Sequence, residues 1–180
     1  MYMYLCIKET DFDKNNVIIN EKIKNNVINN SYFYRIYYST YEFTSNGLVM
    51  SFNIKYDKIE KYFSKIKILF REILNHKVIT QLIKIEDSLL NALNIKNKEK
   101  KTQIKEQITN GFLKIIPDSK LDLSNINEVQ VIIKISGFWE SKDEYGVTFR
   151  CLATKKSAIC NLFIDNNTDV NNHNTQQVCE

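Results

Sequence analysis

Proline occurs once in the 180 residues, tryptophan once, histidine twice and glycine four times. Each scarcity excludes something. So little glycine and proline leaves scant turn chemistry for a catalytic site assembled from loops. The glycines are also isolated, so no GxGxxG or GxxxxGK[ST] phosphate loop can be written. His76 falls between apolar runs and His173 near the end of the sequence, which leaves no serine or cysteine a credible histidine base. Cys6, Cys151, Cys160 and Cys179 show no CxxC spacing, so no zinc, and no other cofactor, is expected. No apolar run approaches the ~18 residues of a membrane span, and Met1 to Lys8 has no basic segment leading into a secretory core. The expectation is a protein without a membrane partner, intracellular and not secreted, its thiols reduced.

What is present is apolar and aromatic. Hydrophobic residues make up 43%, with ten tyrosines and ten phenylalanines, too many for a disordered chain. Asn, Lys, Ile and Tyr dominate as an AT-rich genome would encode them, which weakens any functional reading of lysine alone. The net charge of +4 permits an anionic partner without requiring one.

The richest stretch is Val129 to Leu152. Val129, Val131, Ile133 and Ile135 alternate with Gln130, Lys134 and Ser136, and Val147, Phe149 and Cys151 alternate with Thr148, Arg150 and Leu152. Period two on both sides of the charged segment Glu140 to Glu144 predicts a hairpin with a turn longer than two residues. Gly137 and Gly146 bracket the turn, and Trp139 stands beside it.

Upstream, Met1 to Lys8 alternates as an opening strand, and NNVIINEKIKNNVINN reads as a low-complexity duplication. Tyr32 to Thr44 and Leu48 to Ile54 predict a second hairpin about Ser45, Asn46 and Gly47. Asp57 and Glu60 resemble a capping box. Behind them, Ile59, Tyr62, Phe63, Ile66, Leu69, Phe70, Ile73 and Leu74 recur at helical spacing. After Asn75 and His76 a second helical stripe runs from Ile79 to Leu93. Asn94 to Lys105 reads as an exposed lysine-rich connector that passes into a short helix ending at Gly111. Phe112 to Ile116 reads as a strand stopped by Pro117, with one more strand between Ala158 and Ile164. The sum is an α+β protein, a single domain over residues 1–164 followed by an Asn-rich flexible tail at 165–180. Its expected architecture is a twisted antiparallel sheet or partial OB-like barrel, with a two-helix insertion packed on one side.

Basic and aromatic residues recur together on the predicted strands. Phe149 falls with Val147 on the core side, which leaves Arg35, Tyr37, Lys134, Trp139, Tyr145 and Arg150 as candidates for holding nucleic acid. Cations that follow phosphates and rings that stack on unpaired bases are how single strands are bound. Glu140, Asp143 and Glu144 could hold a cation, but carboxylates at a hairpin tip are ordinarily solvated, and no enzyme is expected.

GFLKIIP at Gly111–Pro117 and VIIKISGFWESKDEYGVTFR at Val131–Arg150 resemble a pattern in small replication-associated proteins of large DNA viruses of arthropods and protists. The layout is similar to that of their single-stranded DNA-binding proteins. The positions that carry the resemblance are Gly111, Phe112, Gly137, Trp139, Glu140, Tyr145, Gly146 and Arg150. It implies a non-enzymatic single-stranded DNA-binding role in viral replication, in the host cytoplasm or nucleus. The chain departs from the pattern in lacking a strongly acidic tail. The alternative expectation is a protein–protein interaction or structural subunit of such a virus, and a homo-oligomer is compatible with either.

Overall fold

The computed structural model describes residues 4–25, 28–62, 65–116, 126–154 and 159–161. The strands run β1 (Tyr4–Lys8), β2 (Val17–Lys24), β3 (Tyr32–Ser39), β4 (Thr44–Asn46), β5 (Leu48–Lys55), β6 (Lys58–Tyr62) and β7 (Lys65–Leu69). Helix α1 (Glu72–Leu93), β8 (Glu99–Lys101), helix α2 (Gln103–Thr109), β9 (Phe112–Ile115), β10 (Glu128–Glu140), β11 (Glu144–Thr154) and β12 (Ile159–Asn161) follow. The fold is α+β, and its mixed main sheet curls into a half-barrel of partial OB-like form, ordered β12-β1-β5-β10-β11-β8. The strand expected after Ala158 is β12, parallel to β1; the tail at 165–180 lies outside the described residues.

The β10–β11 hairpin is the spine. It is paired from Gln130–Thr154 to Glu140–Tyr145, with a bulge between Ile135 and Gly137. At that bulge the other edge of β10 changes neighbour, from β5 along residues 128–135 to β3 along residues 137–140. The sheet therefore forks, and two glycines permit it. A Cβ on Gly137 would lie 2.0 Å from the Tyr34 carbonyl oxygen. Gly47, at φ 93°, lets the chain pass from β4 beside β3 to β5 beside β10. The second hairpin expected from Tyr32 to Ile54 is thus divided: β3 turns back only onto the short β4, and β5 joins β10 and β1.

The region after Asp57 corrects the expectation of two consecutive helices. Residues 58–69 form the β6–β7 hairpin, extended by β9 into a three-stranded sheet. Lys65-Ile66-Lys67-Ile68 alternates strictly and buries Ile66 and Ile68, so period two wins over a helical spacing that the same isoleucines also satisfy. Asp57 caps nothing; it pairs with Arg71 at 3.0 Å, while Glu60 pairs with Lys58. The helix begins only at Glu72, and Asn75 does not interrupt it. Its amide is buried, donates to the Lys55 carbonyl and accepts from the Lys55 N–H, clipping α1 to the end of β5. Ile79, Leu82, Ile85, Leu89 and Leu90 of α1 join Phe52, Val131, Ile133, Val147 and Cys151 in the core. The second helix is α2, the short one expected before Gly111, and buried Glu86 of α1 accepts the Ile104 and Lys105 N–H groups at its start.

Candidate functional site

Strand alternation divides the side chains of the forked sheet into two faces. Inward, toward α1, point Ile135, Phe138, Val147, Cys151, Ile36 and Tyr38, all buried. Outward the register sets three cross-strand rows: Ile23–Phe33–Trp139–Gly146, then Arg35–Gly137–Thr148, then Val49–Lys134–Arg150. Tyr37 extends the outward file of Phe33 and Arg35 along β3. The sheet thereby gathers Arg35, Tyr37, Lys134, Trp139 and Arg150 on one face. Tyr145 is the exception. It falls with Val147, pairs across from Glu140 and is buried at 6% exposure, so its ring belongs to the core and is withdrawn from the candidate face. Toward the Gln130 end, Ile132, Ser51 and Cys6 are buried; the open part is the half next to β3.

Two features of this face stand out energetically. Lys134 and Arg150 are direct cross-strand partners, a placement in which like charges repel. Neither they nor Arg35 have an ion pair among the described residues. Trp139 is half-buried, its ring laid against Gly146, where a Cβ would come within 2.9 Å of it. Trp139 and Phe33, with Ile23 and Ile28, wall a pocket of about 410 Å³ that Lys24 and Thr148 edge.

Beneath Trp139, on the inner face, Glu140 ties the hairpin to its neighbours. It accepts from the Tyr34 hydroxyl at 2.5 Å and from Lys98 Nζ at 2.6 Å, and the same ammonium reaches the Ser141 carbonyl. Burial works to raise the Glu140 carboxyl, but Lys98 and Tyr34 outweigh it and hold the group below its usual range. Burial, then the Glu140 contact, pushes the Tyr34 hydroxyl up. Glu144 pairs with Lys101 at 3.1 Å. Glu140 and Glu144, two of the three hairpin-tip carboxylates, are thus engaged by lysines, and among the described residues no acid, histidine or cysteine cluster could hold a metal ion. The lysine-rich connector is likewise not merely exposed. It carries β8, parallel to β11, with Lys100 on Asp87 and Lys101 between Glu99 and Glu144.

Sequence reasoning missed Ile23, Lys24 and Thr148, and passed over Phe33. Phe33 was findable, since alternation sets it on the face of Arg35 and Tyr37. Ile23 and Lys24 were not, because the stretch that reads as a low-complexity duplication is strand β2, bulged between Ile19 and Lys22 and paired with β3. No helix among the described residues is long and apolar enough to cross a membrane. No protein-family model, curated protein or solved structure matches this chain.

Proposed function

We propose that the outward face of β3, β10 and β11 binds single-stranded nucleic acid, DNA in the first instance, tolerantly of sequence and without catalysis, as a replication-associated protein of a large DNA virus would. One observation carries the reading. Lys134 and Arg150 are held side by side without a carboxylate, on the same face as Arg35 and the rings of Phe33, Tyr37 and Trp139. Like charges set opposite each other cost stability, and a phosphate lying over them converts the repulsion into attraction. The rings offer platforms for bases, which need no particular sequence.

Trp139 is the only tryptophan, so its fluorescence reports directly on this face. Titration with oligo-dT should quench it at about 50 mM salt and much less at about 200 mM, as counterion release requires. Absence of quenching at the lower salt sinks the reading. Arg150→Glu separates function from fold. Opposite Lys134 it creates a cross-strand ion pair and should stabilise the domain by about 0.2–1 kcal/mol, while weakening oligonucleotide binding and lowering the salt slope by about one. A variant both more stable and unimpaired in binding would show that the pair does not meet phosphate.

The alternative, a protein-interaction or structural subunit, is favoured by β2. Among the described residues it pairs only with β3 and exposes Ile18 and Ile23 at 50% and 54%. A concentration-dependent dimer in size-exclusion chromatography, without affinity for oligonucleotides, would select it.

A further inference from the structure

The pocket beside Trp139 is not needed for a face that merely stacks successive bases. Its volume of about 410 Å³ lies in the range of about 300–1,000 Å³ usual for small-molecule clefts. Its walls are the rings of Phe33 and Trp139 and the branched chains of Ile23 and Ile28, with Thr148 and Lys24 at the edge. Bulge and glycine create it. The Phe33 ring lies against Gly137, where a Cβ would come within 2.7 Å of it, and Gly146 lets the indole settle flat at the end of the Trp139 row. We propose that this pocket takes one unpaired base, turned out of the bound strand and held against Phe33 and Trp139. A flanking phosphate then falls to Arg35, one row along on the same face. The inference rests on the nucleic-acid reading above and deepens it: one base is anchored, and its neighbours lie across Lys134 and Arg150. The surrounding charge selects this occupant. Arg35, Lys134 and Arg150 are cations on this face without ion pairs among the described residues, and Glu144 near the end of the face is paired with Lys101. Thr148 offers a hydroxyl to a base edge, and every base has an apolar face for the two rings.

The test uses strands of equal length and charge. One is wholly abasic, one is abasic but for a single central thymine, and one is oligo-dT. The single thymine should raise affinity about 5- to 150-fold over the abasic strand, the equivalent of one stacked base at about 1–3 kcal/mol, and should restore quenching of Trp139. Further thymines should each add less. Thr148→Phe, which fills the pocket, should erase the single-thymine gain. If the single thymine adds nothing while oligo-dT gains gradually with each base, the pocket proposal is overturned and the stacking face stands. If no strand binds the wild-type protein at low salt, the nucleic-acid reading falls and the pocket proposal with it. Because the strand series is measured on the wild-type chain, its outcome does not depend on the variant folding.

Discussion

Glu140 shows how one side chain supports a surface it does not face. Its neighbour Trp139 points outward, while the Glu140 carboxylate turns inward and joins β3 through Tyr34 to the segment before β8 through Lys98. Glu140→Ala leaves a half-buried ammonium without its carboxylate, holding only the Ser141 carbonyl, and a phenol without its acceptor. The expected loss is about 3 kcal/mol, the low end for a broken buried pair, because the Lys98 side chain retains 21% exposure. The pH dependence has a definite sign. A carboxyl held below its ordinary 4.5 contributes stability that is complete above that value and lost as pH falls through the folded-state value. Denaturant midpoints from pH 7 down to pH 3 should therefore fall less steeply in the variant than in the wild type. Parallel curves would mean that Glu140 is not the group being titrated. None of this was legible in the sequence, where Glu140 counts as one more acid in a charged turn and Lys98 as one more lysine in a charged run. The pairing depends on β8 being brought alongside β11.

At the scale of elements, α2 stands on α1. It has seven residues, too few to be stable alone, and its own N-cap, Thr102, makes no side-chain capping bond. Buried Glu86 does that work from the neighbouring helix, accepting from Ile104 and Lys105 at 2.9 and 2.8 Å. Glu86→Gln keeps one acceptor and leaves the other N–H unsatisfied, at a cost of about 1–3 kcal/mol. Burial pushes the Glu86 carboxyl above its ordinary 4.5, against the two N–H bonds that pull it down. The folded chain then holds a proton that the unfolded chain has released, so this group's contribution falls as pH rises from 4.5 through the raised value. That descending limb should vanish in Glu86→Gln when unfolding is followed from about pH 4.5 to 8; its persistence would assign it to another group. The elements themselves were unevenly readable. The hairpin and the stripe of α1 announce themselves because each period appears alone. The β6–β7 region does not, since Ile59, Ile66 and Leu69 satisfy a helical spacing while Lys65 to Ile68 alternates. Only the docking of β9 onto β7 at Ile68–Leu113 settles the competition.

For the molecule as a whole, the core joins both sheets to α1, and Cys151 lies inside it. Burial pushes its thiol up to about 12, and burial also raises Cys6. Neither should react with iodoacetamide in the native protein at about pH 8, and both should react fully in denaturant, as peptide mapping by mass spectrometry would show. Early labelling of Cys151 would mean that the central hairpin opens without global unfolding. The sequence by itself determined the local periods: the β10 and β11 runs, the α1 stripe, the strand before Pro117, and so the α+β class. Period is a property of neighbours in the chain, and burial of one face enforces it. It also set Arg35 with Tyr37, and Lys134 apart from Val131 and Ile133, since alternation needs no partner. Alternation with Val147 also sets Tyr145 on the core side. Only the tertiary structure decided that the other candidate residues share one face and that Ile23 and Phe33 close a pocket with Trp139, and those outcomes follow from a bulge after Ile135 and a fork at Gly137. A one-residue shift in register reverses every side chain beyond it, and register is fixed between strands, not within them.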